Sequence, residues 1–429
     1  MDGLPLALDQ AGAYIEETAC GLAHYLQIYR TQRTARLKER GGLGSDHPEP
    51  VATTWSLSFK NVEQANATAA ELLRFCAFLA PDAIPEELVT ESAAELGPLL
   101  KPMVTDPSIL DAAIRELLKY SLIHRDPESK MLSIHRLVQE VLKDQMNEET
   151  QRQWAERTVR AVNQVFPFPE YANWDRCQRY LPHAQMCSPL IEQWNLLFNE
   201  VASLLNKVGY YQWQRGEYEQ VESLHKRALA IREQVLGPTH HSTAVSLAHL
   251  GLYYWSQGKY ADALPLWQRD LAIKEQELGL KHPETARSLN NLAALYYNQG
   301  KYAEALPLCQ RALAIDEETY GSNHPDVARD LNNLANLFNV QGKYEQAESL
   351  YQRALTIREQ KLGPEHPDTA WSVANLAWLY MNQGKYEQAK LLYQRALAIR
   401  EKVLGSDHPD TVANRRNYND LLERMNRKR

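Results

Sequence analysis

The sequence predicts an all-α chain in which most residues form a helical solenoid. A Gly-x-Tyr phrase recurs at a fixed step of 42 residues, and its glycines are Gly216, Gly258, Gly300, Gly342 and Gly384. A histidine keeps the same step in a second phrase, at His240, His282, His324, His366 and His408. Repetition at one fixed period indicates stacked two-helix units that bury apolar surface mainly against their neighbours. Such an array presents an extended surface, so we expect binding rather than catalysis.

Composition narrows the possible functions. The 429 residues carry a net charge of −7, with 44% hydrophobic and 24% charged residues, which is usual for a soluble globular chain. This charge gives no general attraction to phosphate backbones. Five cysteines without a CxxC pair indicate buried or idle thiols in a reducing compartment. Because no apolar run reaches the ~20 residues that span a bilayer and no signal peptide is recognisable, we expect a cytoplasmic protein without metal or cofactor.

Residues 1–50 are predicted to form a helical bundle fragment. Leu8, Ile15 and Leu22 belong to a series of apolar residues at helical spacing, and no β-branched run interrupts them. The glycine-rich stretch at residues 41–48 ends this region.

Residues 51–148 show a different pattern. Helices are predicted over residues 71–79 and 111–118, and a further helix is predicted to start within residues 84–88, with acids in its first turn. Two β-prone runs around a Pro-containing turn at residues 126–129 predict a hairpin. Three helices followed by a hairpin favour a winged-helix-like domain.

The rest of the chain is predicted to be helical throughout. Residues 149–200 are interpreted as a helical connector, which four prolines punctuate: Pro167, Pro169, Pro182 and Pro189. Residues 201–410 hold five repeats, each with a first helix (285–298 in the third copy), a glycine turn and a second helix (302–318). Residues 411–429 match a first helix alone and are predicted to cap the array. The histidines before the loop prolines are expected to act as cap or loop residues rather than metal ligands, because their copies lie on separate repeats.

These repeats resemble tetratricopeptide repeats (TPR). In the third copy the consensus positions are Asn291, Leu292, Ala293, Tyr296, Gly300, Tyr302, Ala305, Ala312 and Leu313. The 42-residue step and the Leu-Gly-x-x-His-Pro-x-Thr loop are similar to the kinesin light chain subclass. The resemblance implies a right-handed superhelix whose concave groove binds a peptide or protein partner.

The front of the chain resembles the C-terminal part of an NB-ARC module, the nucleotide switch of the STAND class of signalling NTPases. Residues 3–8 read GLPLAL, similar to the GLPL motif, and Ile134-His135-Arg136 stands where that family carries Met-His-Asp. In that family the proline of the GLPL motif packs near the adenine and the histidine senses the β-phosphate, so the resemblance implies nucleotide contacts for Pro5 and His135. Arg136 departs from the motif, and the sequence contains no G-x-x-x-x-G-K-[ST] phosphate loop. We therefore expect a remnant or a split partner of such a switch, and His135 is also consistent with a half-buried residue where the hairpin meets the next helix.

The winged-helix-like pattern raises the possibility of nucleic-acid binding. Residues 61–150 hold 8 Lys/Arg against 16 Asp/Glu. Because duplex binding depends largely on neutralising phosphates, we expect no nucleic-acid partner and no membrane partner.

The candidate binding residues lie on the first helix of each repeat. Positions 42 residues apart, with those four before and three after them, share one helical face. The candidates are Lys207, His249, Arg287, Asn291, Arg329, Asn333, Asn336, Trp371, Asn375, Trp378 and Asn417. Asparagine amides on this face either bind a peptide backbone or form a ladder between neighbouring helices. On the second helix a cation recurs beside glutamates, which predicts interhelix salt bridges: Arg227, Arg269, Arg311, Arg353 and Arg395.

The sequence thus favours a non-enzymatic protein–protein interaction scaffold, with signalling as its context. The first alternative is the effector half of a STAND-type switch that needs a separate nucleotide-binding half. The second is a transcription regulator that uses the winged-helix-like domain.

Overall fold

The computed structural model describes residues 51–428 and, before them, Ala23. The described chain divides into two compact units. One runs to Phe168 and includes Asp175–Leu204, and the other contains Pro169–Trp174 and the residues from Leu205 onward. Most of the predicted helical region of residues 1–50, including Pro5, lies outside the described residues.

Before the repeats, the described chain forms helices and a small sheet. The helices are α1 Val51–Ala65, α2 Ala67–Ala77, α3 Glu86–Ser92, α4 Ser108–Lys119, α5 Arg136–Gln145, α6 Glu148–Val165 and α7 Trp174–Gln193. The strands are β1 Ile84–Pro85, β2 His124–Asp126 and β3 Met131–Ser133, and they pair antiparallel in the order β1–β3–β2. The hairpin predicted around residues 126–129 is therefore confirmed, whereas the winged-helix assignment stays a prediction.

Of two local predictions in this region, one is confirmed and one is wrong. The helix predicted to start within residues 84–88 is confirmed, because α3 begins at Glu86 and has Glu86 and Glu87 in its first turn, while Ile84 just before it pairs with Leu132 of β3. Pro182 and Pro189 do not punctuate the chain, since both lie inside α7. A proline costs an internal helical hydrogen bond, and the many buried side chains of α7 show that tertiary packing offsets this cost.

The repeat region consists of paired helices with nearly constant lengths. They are α8 Asn199–Gln214, α9 Val221–Val235, α10 His241–Ser256, α11 Tyr260–Glu277, α12 Pro283–Asn298, α13 Tyr302–Tyr320, α14 Pro325–Val340, α15 Tyr344–Lys361, α16 Pro367–Asn382, α17 Tyr386–Leu404 and α18 Pro409–Lys428. The predicted all-α solenoid is confirmed, and its helix bounds agree with the sequence to within about two residues. The turn glycines take positive φ, for example +74° at Gly300.

The two helices of each repeat pack through side chains of complementary size. On the second helix one buried position holds Trp267 in the second copy and Cys309 in the third. The facing residue on the first helix is Gly251 where the tryptophan stands and Ala293 where the cysteine stands. A Cβ on Gly251 would lie only 2.4 Å from Nε1 of Trp267, so the glycine makes room for the large ring.

The recurring histidines cap the first helices, as the sequence predicts. In every copy the histidine Nδ1 accepts a hydrogen bond from the backbone N–H two residues later, at 3.0 Å for His240 and 3.2 Å for His282. The remaining three bonds, at His324, His366 and His408, have the same pattern. The loop threonine ties the preceding helix to this cap, since the Thr369 hydroxyl donates to the Gly363 carbonyl at 2.8 Å. The loop phrase therefore stops one helix and starts the next.

The predicted interhelix salt bridges are confirmed on the second helices. Four of the five predicted arginines pair with a glutamate 36 residues earlier, on the second helix of the preceding repeat. The pairs are Arg269–Glu233, Arg311–Glu275, Arg353–Glu317 and Arg395–Glu359, with N–O distances of 2.6, 2.6, 2.7 and 2.6 Å. These half-exposed pairs add orientation more than stability.

Two further sequence expectations concern the apolar regions. Four cysteines are buried free thiols, and burial raises the pKa of Cys76 and Cys309 to about 12. Along residues 51–428 every helix is too short or too polar to cross a lipid bilayer.

Candidate binding site

The predicted binding residues lie on the first helices of the repeat array, and several of them surround Tyr210 on α8. Tyr210 on α8 is electrostatically coupled to residues from three other first helices: Arg287 on α12, Arg329 on α14 and Asp368 on α16. Burial raises the pKa of Tyr210, while the Arg287 charge lowers it. Charges from three distant first helices therefore act on one hydroxyl of the first repeat.

The asparagines among the predicted binding residues differ in their hydrogen-bond partners. Asn333 Nδ2 donates to Asn290 Oδ1 on the neighbouring first helix at 3.0 Å, so the interhelix alternative applies at this position. Asn336 Oδ1 accepts a hydrogen bond from the hydroxyl of Tyr351. Asn375 Nδ2 is buried and has no partner within residues 51–428, and Asn291 is half-buried. Asn375 Nδ2 is therefore a buried donor whose hydrogen-bonding capacity no described residue satisfies.

A second asparagine ladder, which sequence reasoning missed, lies one residue before the predicted column. Its members donate Nδ2 to the next first helix, 40 residues later. The bonds are Asn206 to Ser246 at 2.7 Å, Asn290 to Asp330 at 2.6 Å and Asn332 to Ser372 at 2.9 Å. A search of the sequence for polar residues 40 residues apart could have identified this second ladder.

A buried charge on each second helix faces this ladder. One column of the 42-residue step contains Arg232, Lys274, Asp316, Arg358 and Arg400, all of them buried. The cations in it bond to neighbouring groups: Lys274 lies 3.1 Å from Asp270, and Arg358 donates to the Asp368 carbonyl at 2.6 Å. In the third copy this position is negative instead of positive, because it is Asp316.

Arg329 compensates for that reversal. Its guanidinium lies 3.1 Å from Asp316, 2.6 Å from Asp326 and 3.4 Å from Asp330. Burial raises the pKa of Asp330 to about 8, against the lowering effect of Arg329, and burial raises the pKa of Asp316 as well. The two carboxyls therefore share one proton near neutral pH. Three aspartates around one guanidinium leave Arg329 with little charge to offer a ligand.

Other predicted residues supply a cation and aromatic surface to the inner face. Arg287 is exposed and forms no salt bridge with any residue that the structure describes. The Arg358 guanidinium stacks over Trp371 at 4.9 Å, and Trp378 packs against the cluster that contains Tyr393. His249 stacks on Tyr210, with ring centroids 5.1 Å apart.

The remaining predicted positions lie at the ends of the array or outside it. Lys207 is half-buried on α8, and Asn417 is exposed on α18. His135 is half-buried at the start of α5, where its Nδ1 accepts from the Leu137 N–H at 3.2 Å. The structural interpretation of His135 is thus confirmed, and its nucleotide contact stays a prediction. Pro5 lies outside the described residues.

Comparison with known proteins places these features in a family. The tetratricopeptide repeat model matches residues 200–276, 253–306, 284–360, 331–402 and 379–429. A domain of unknown function (DUF7779) matches residues 60–151. A nucleotide-binding leucine-rich repeat (NLR)-like protein of Hyaloscypha variabilis is 33% identical over 260 residues, which are 58% of this chain and 25% of that protein. The match therefore spans a quarter of the relative's length.

Solved structures with similar repeats include two of different kinds. A kinesin light chain-type protein of nearly identical TPR-like repeats from Podosopora anserina is 26% identical, with a TM-score of 0.39 over 48% of this chain and 98% of that chain. A signal transduction ATPase with numerous domains (STAND) and a tetratricopeptide repeat sensor from Pyrococcus horikoshii is 17% identical, with a TM-score of 0.47 over 98% of this chain and 62% of that chain.

Paired helices joined by glycine turns around a polar inner face define an α-solenoid of helical hairpins. The family matches together cover residues 200–429, more than half of the chain, and the chain belongs to the tetratricopeptide repeat family. These matches and the NLR-like relative confirm the two resemblances that the sequence predicted.

Proposed function

We propose that the chain is a non-enzymatic interaction scaffold whose inner face binds an extended peptide segment of a protein partner. This proposal is supported by the surroundings of Tyr210, because His249 of the next first helix stacks on its ring and charges from three more distant first helices act on its hydroxyl, so that one ligand could contact several repeats. Members of the tetratricopeptide repeat family are generally scaffolds without catalytic activity.

The chemistry of the inner face defines the ligand. Arg287, exposed and without a salt bridge in residues 51–428, is the cation that suits an acidic side chain. Asn291 and Asn375 offer amides to a peptide backbone. Trp371 and Trp378 suit an apolar or aromatic anchor near the fifth first helix. The expected ligand is therefore extended, with a carboxylate near the third repeat and an apolar residue near the fifth.

A library of displayed linear peptides tests this specificity. Selection on the immobilised chain should enrich sequences that combine acidic and aromatic or aliphatic residues. Binding of a selected peptide, measured by fluorescence anisotropy, should weaken by about 1–3 kcal/mol in Asn375→Ala, the usual cost of an unpaired buried polar group. Arg287→Gln should weaken it as well.

Arg353→Gln is the matched control, because Arg353 forms an outer pair with Glu317 and lies away from the inner face. Equal losses in Arg287→Gln and Arg353→Gln would contradict the proposed site. So would enrichment of basic peptides.

The NLR-like relative favours a second candidate function, in which the chain is the effector part of a nucleotide-dependent signalling switch. In that case a separate nucleotide-binding protein should be retained on the immobilised chain in one nucleotide state and released in the other. Retention that does not depend on ADP or ATP would argue against the switch.

A further inference from the structure

The first and last parts of the repeat array touch each other. Gln214, at the end of α8, and His408, which caps α18, are 194 residues apart, yet Nε2 of His408 lies 2.8 Å from the Gln214 carbonyl oxygen. Nδ1 of the same histidine accepts from the Asp410 N–H at 3.1 Å. One neutral tautomer serves both bonds, because its protonated Nε2 donates to the carbonyl while Nδ1 accepts.

Gly216 packs against the same place. A Cβ added to this glycine would lie 2.7 Å from Cδ of Pro409, the first residue of α18. The equivalent turn glycines Gly258, Gly300 and Gly342 have nothing within 4 Å of such a Cβ. The close contact therefore comes from this end-to-end meeting and does not belong to the repeat.

A short segment of the same compact unit adds a second connection. Trp174 Nε1 donates to Gln214 Oε1 at 3.1 Å, and the Arg215 guanidinium lies 5.4 Å from the Trp174 ring. Tyr171 packs edge-on against the ring of His366, which caps α16, with centroids 5.1 Å apart. The segment Pro169–Trp174 thus connects the first turn to the loop before the fifth first helix.

We propose that these contacts form a clasp, which holds the repeats in a closed turn and controls the entry of an extended ligand to the inner face. The clasp consists of Gln214 and Gly216 against His408 and Pro409, together with the segment Pro169–Trp174. Repeat units contact mainly their neighbours, so small rotations at each interface add up and separate the ends while the helix pairs stay intact. Control of entry rests on the proposed peptide-binding function, whereas the clasp itself does not.

Hydrogen exchange of the full chain tests the clasp without a ligand. Gly216→Val adds bulk against Pro409, and the reporter is the distant peptide of residues 405–415, which includes the capped Asp410 amide. Its exchange should become about twofold faster or more. Gly258→Val is the matched control, because its φ of +71° is close to the +76° of Gly216 but open space surrounds it.

A second variant changes His408, the clasp residue on the α18 side. His408→Asn keeps a good cap residue but is too short to reach Gln214, so exchange should rise in the peptide of residues 209–220. His282→Asn makes the same cap substitution where, within residues 51–428, the histidine Nε2 has no hydrogen bond. Unchanged distant peptides in both clasp variants, or equal changes in the two controls, would overturn the clasp.

The control of entry is measured with a peptide from the displayed library. Association should be about threefold faster in Gly216→Val and His408→Asn than in the controls, because a larger fraction of molecules is open. Equal association rates together with faster exchange would overturn the control of entry and leave the end-to-end contact. If no peptide binds any variant while exchange responds as expected, the proposed function fails and the clasp stands.

Discussion

Replacement of Arg329 by methionine should lower the free energy of unfolding, because it removes the cation that neutralises the buried aspartates Asp316 and Asp330. Asp316 and Asp330 are 1% and 0% exposed, and Arg329 is the cation between them. Methionine retains much of the side-chain volume but removes the charge. The two carboxyls then have to be uncharged together, since two ionised carboxylates cannot share a buried site without a cation.

The magnitude follows from proton linkage. Asp330, with its pKa near 8, already holds a proton at pH 7. The variant must protonate Asp316 as well, which costs at most about 4 kcal/mol at pH 7, from an unfolded pKa near 3.9 and 1.36 kcal/mol for each unit. At pH 5 the same step costs at most about 1.5 kcal/mol. The loss of stability should therefore be about 3–4 kcal/mol at pH 7, or roughly 6–16 °C in Tm, and less than half of that at pH 5.

Thermal unfolding followed by circular dichroism at both pH values measures this loss. Asp316→Asn in the Arg329→Met background should recover most of the stability at pH 7, because one buried carboxyl is gone. Arg353→Met is the matched control, since its pair with Glu317 is 41% and 36% exposed and should contribute less than about 1 kcal/mol. An Arg329→Met loss that equals the control, or that does not shrink at pH 5, would refute the reasoning.

Three other perturbations test further parts of the chain. Burial lowers the pKa of His183 to about 4, so the folded chain favours the neutral imidazole. The stability that this neutral side chain contributes is present above the unfolded pKa near 6.5 and is lost as pH falls from 6.5 toward 4. Urea unfolding midpoints should therefore fall over that pH range, and they should fall less in His183→Gln. Gly251→Ala should lower Tm because the new Cβ meets the ring of Trp267, and adding Trp267→Cys should restore it by copying the alanine–cysteine pair of the next repeat. Deletion of residues 411–429 should uncover Tyr393 and cause aggregation on size-exclusion chromatography; an equally stable, soluble product would contradict the capping role.

The sequence predicts those parts of the structure that repeat. The fixed step assigns the helices, the glycine turns, the capping histidines and the outer salt bridges, because each of them depends on contacts within one copy or between adjacent copies. The first unit, with buried residues such as Trp154, contains no repeated copies, so its elements cannot be assigned by comparing one copy with another. There, the placement of Ile84 in a strand depends on pairing with Leu132, which local propensity does not encode.

Features specific to single copies are harder to predict. Asn290 donates a hydrogen bond to Asp330, which lies 40 residues later. A comparison of residues 42 residues apart does not pair these two, and it selects the neighbouring Asn291 instead. The neutralisation of Arg329 depends on three aspartates from two helices. The contact between Gln214 and His408 depends on the sum of small rotations across the whole array, which no local pattern reveals.

The outer salt bridges bear on how such a chain can gain or lose copies during evolution. Each bridge joins one second helix to the next at a constant offset of 36 residues, so loss of the second copy would simply bring Glu233 to Arg311, an equivalent partner. The fourth copy is different, because its removal would place Asp316 beside Trp371, without the arginine that now compensates for it. In-frame recombination should therefore vary the number of copies near the start of the array and preserve the third and fourth as an inseparable pair.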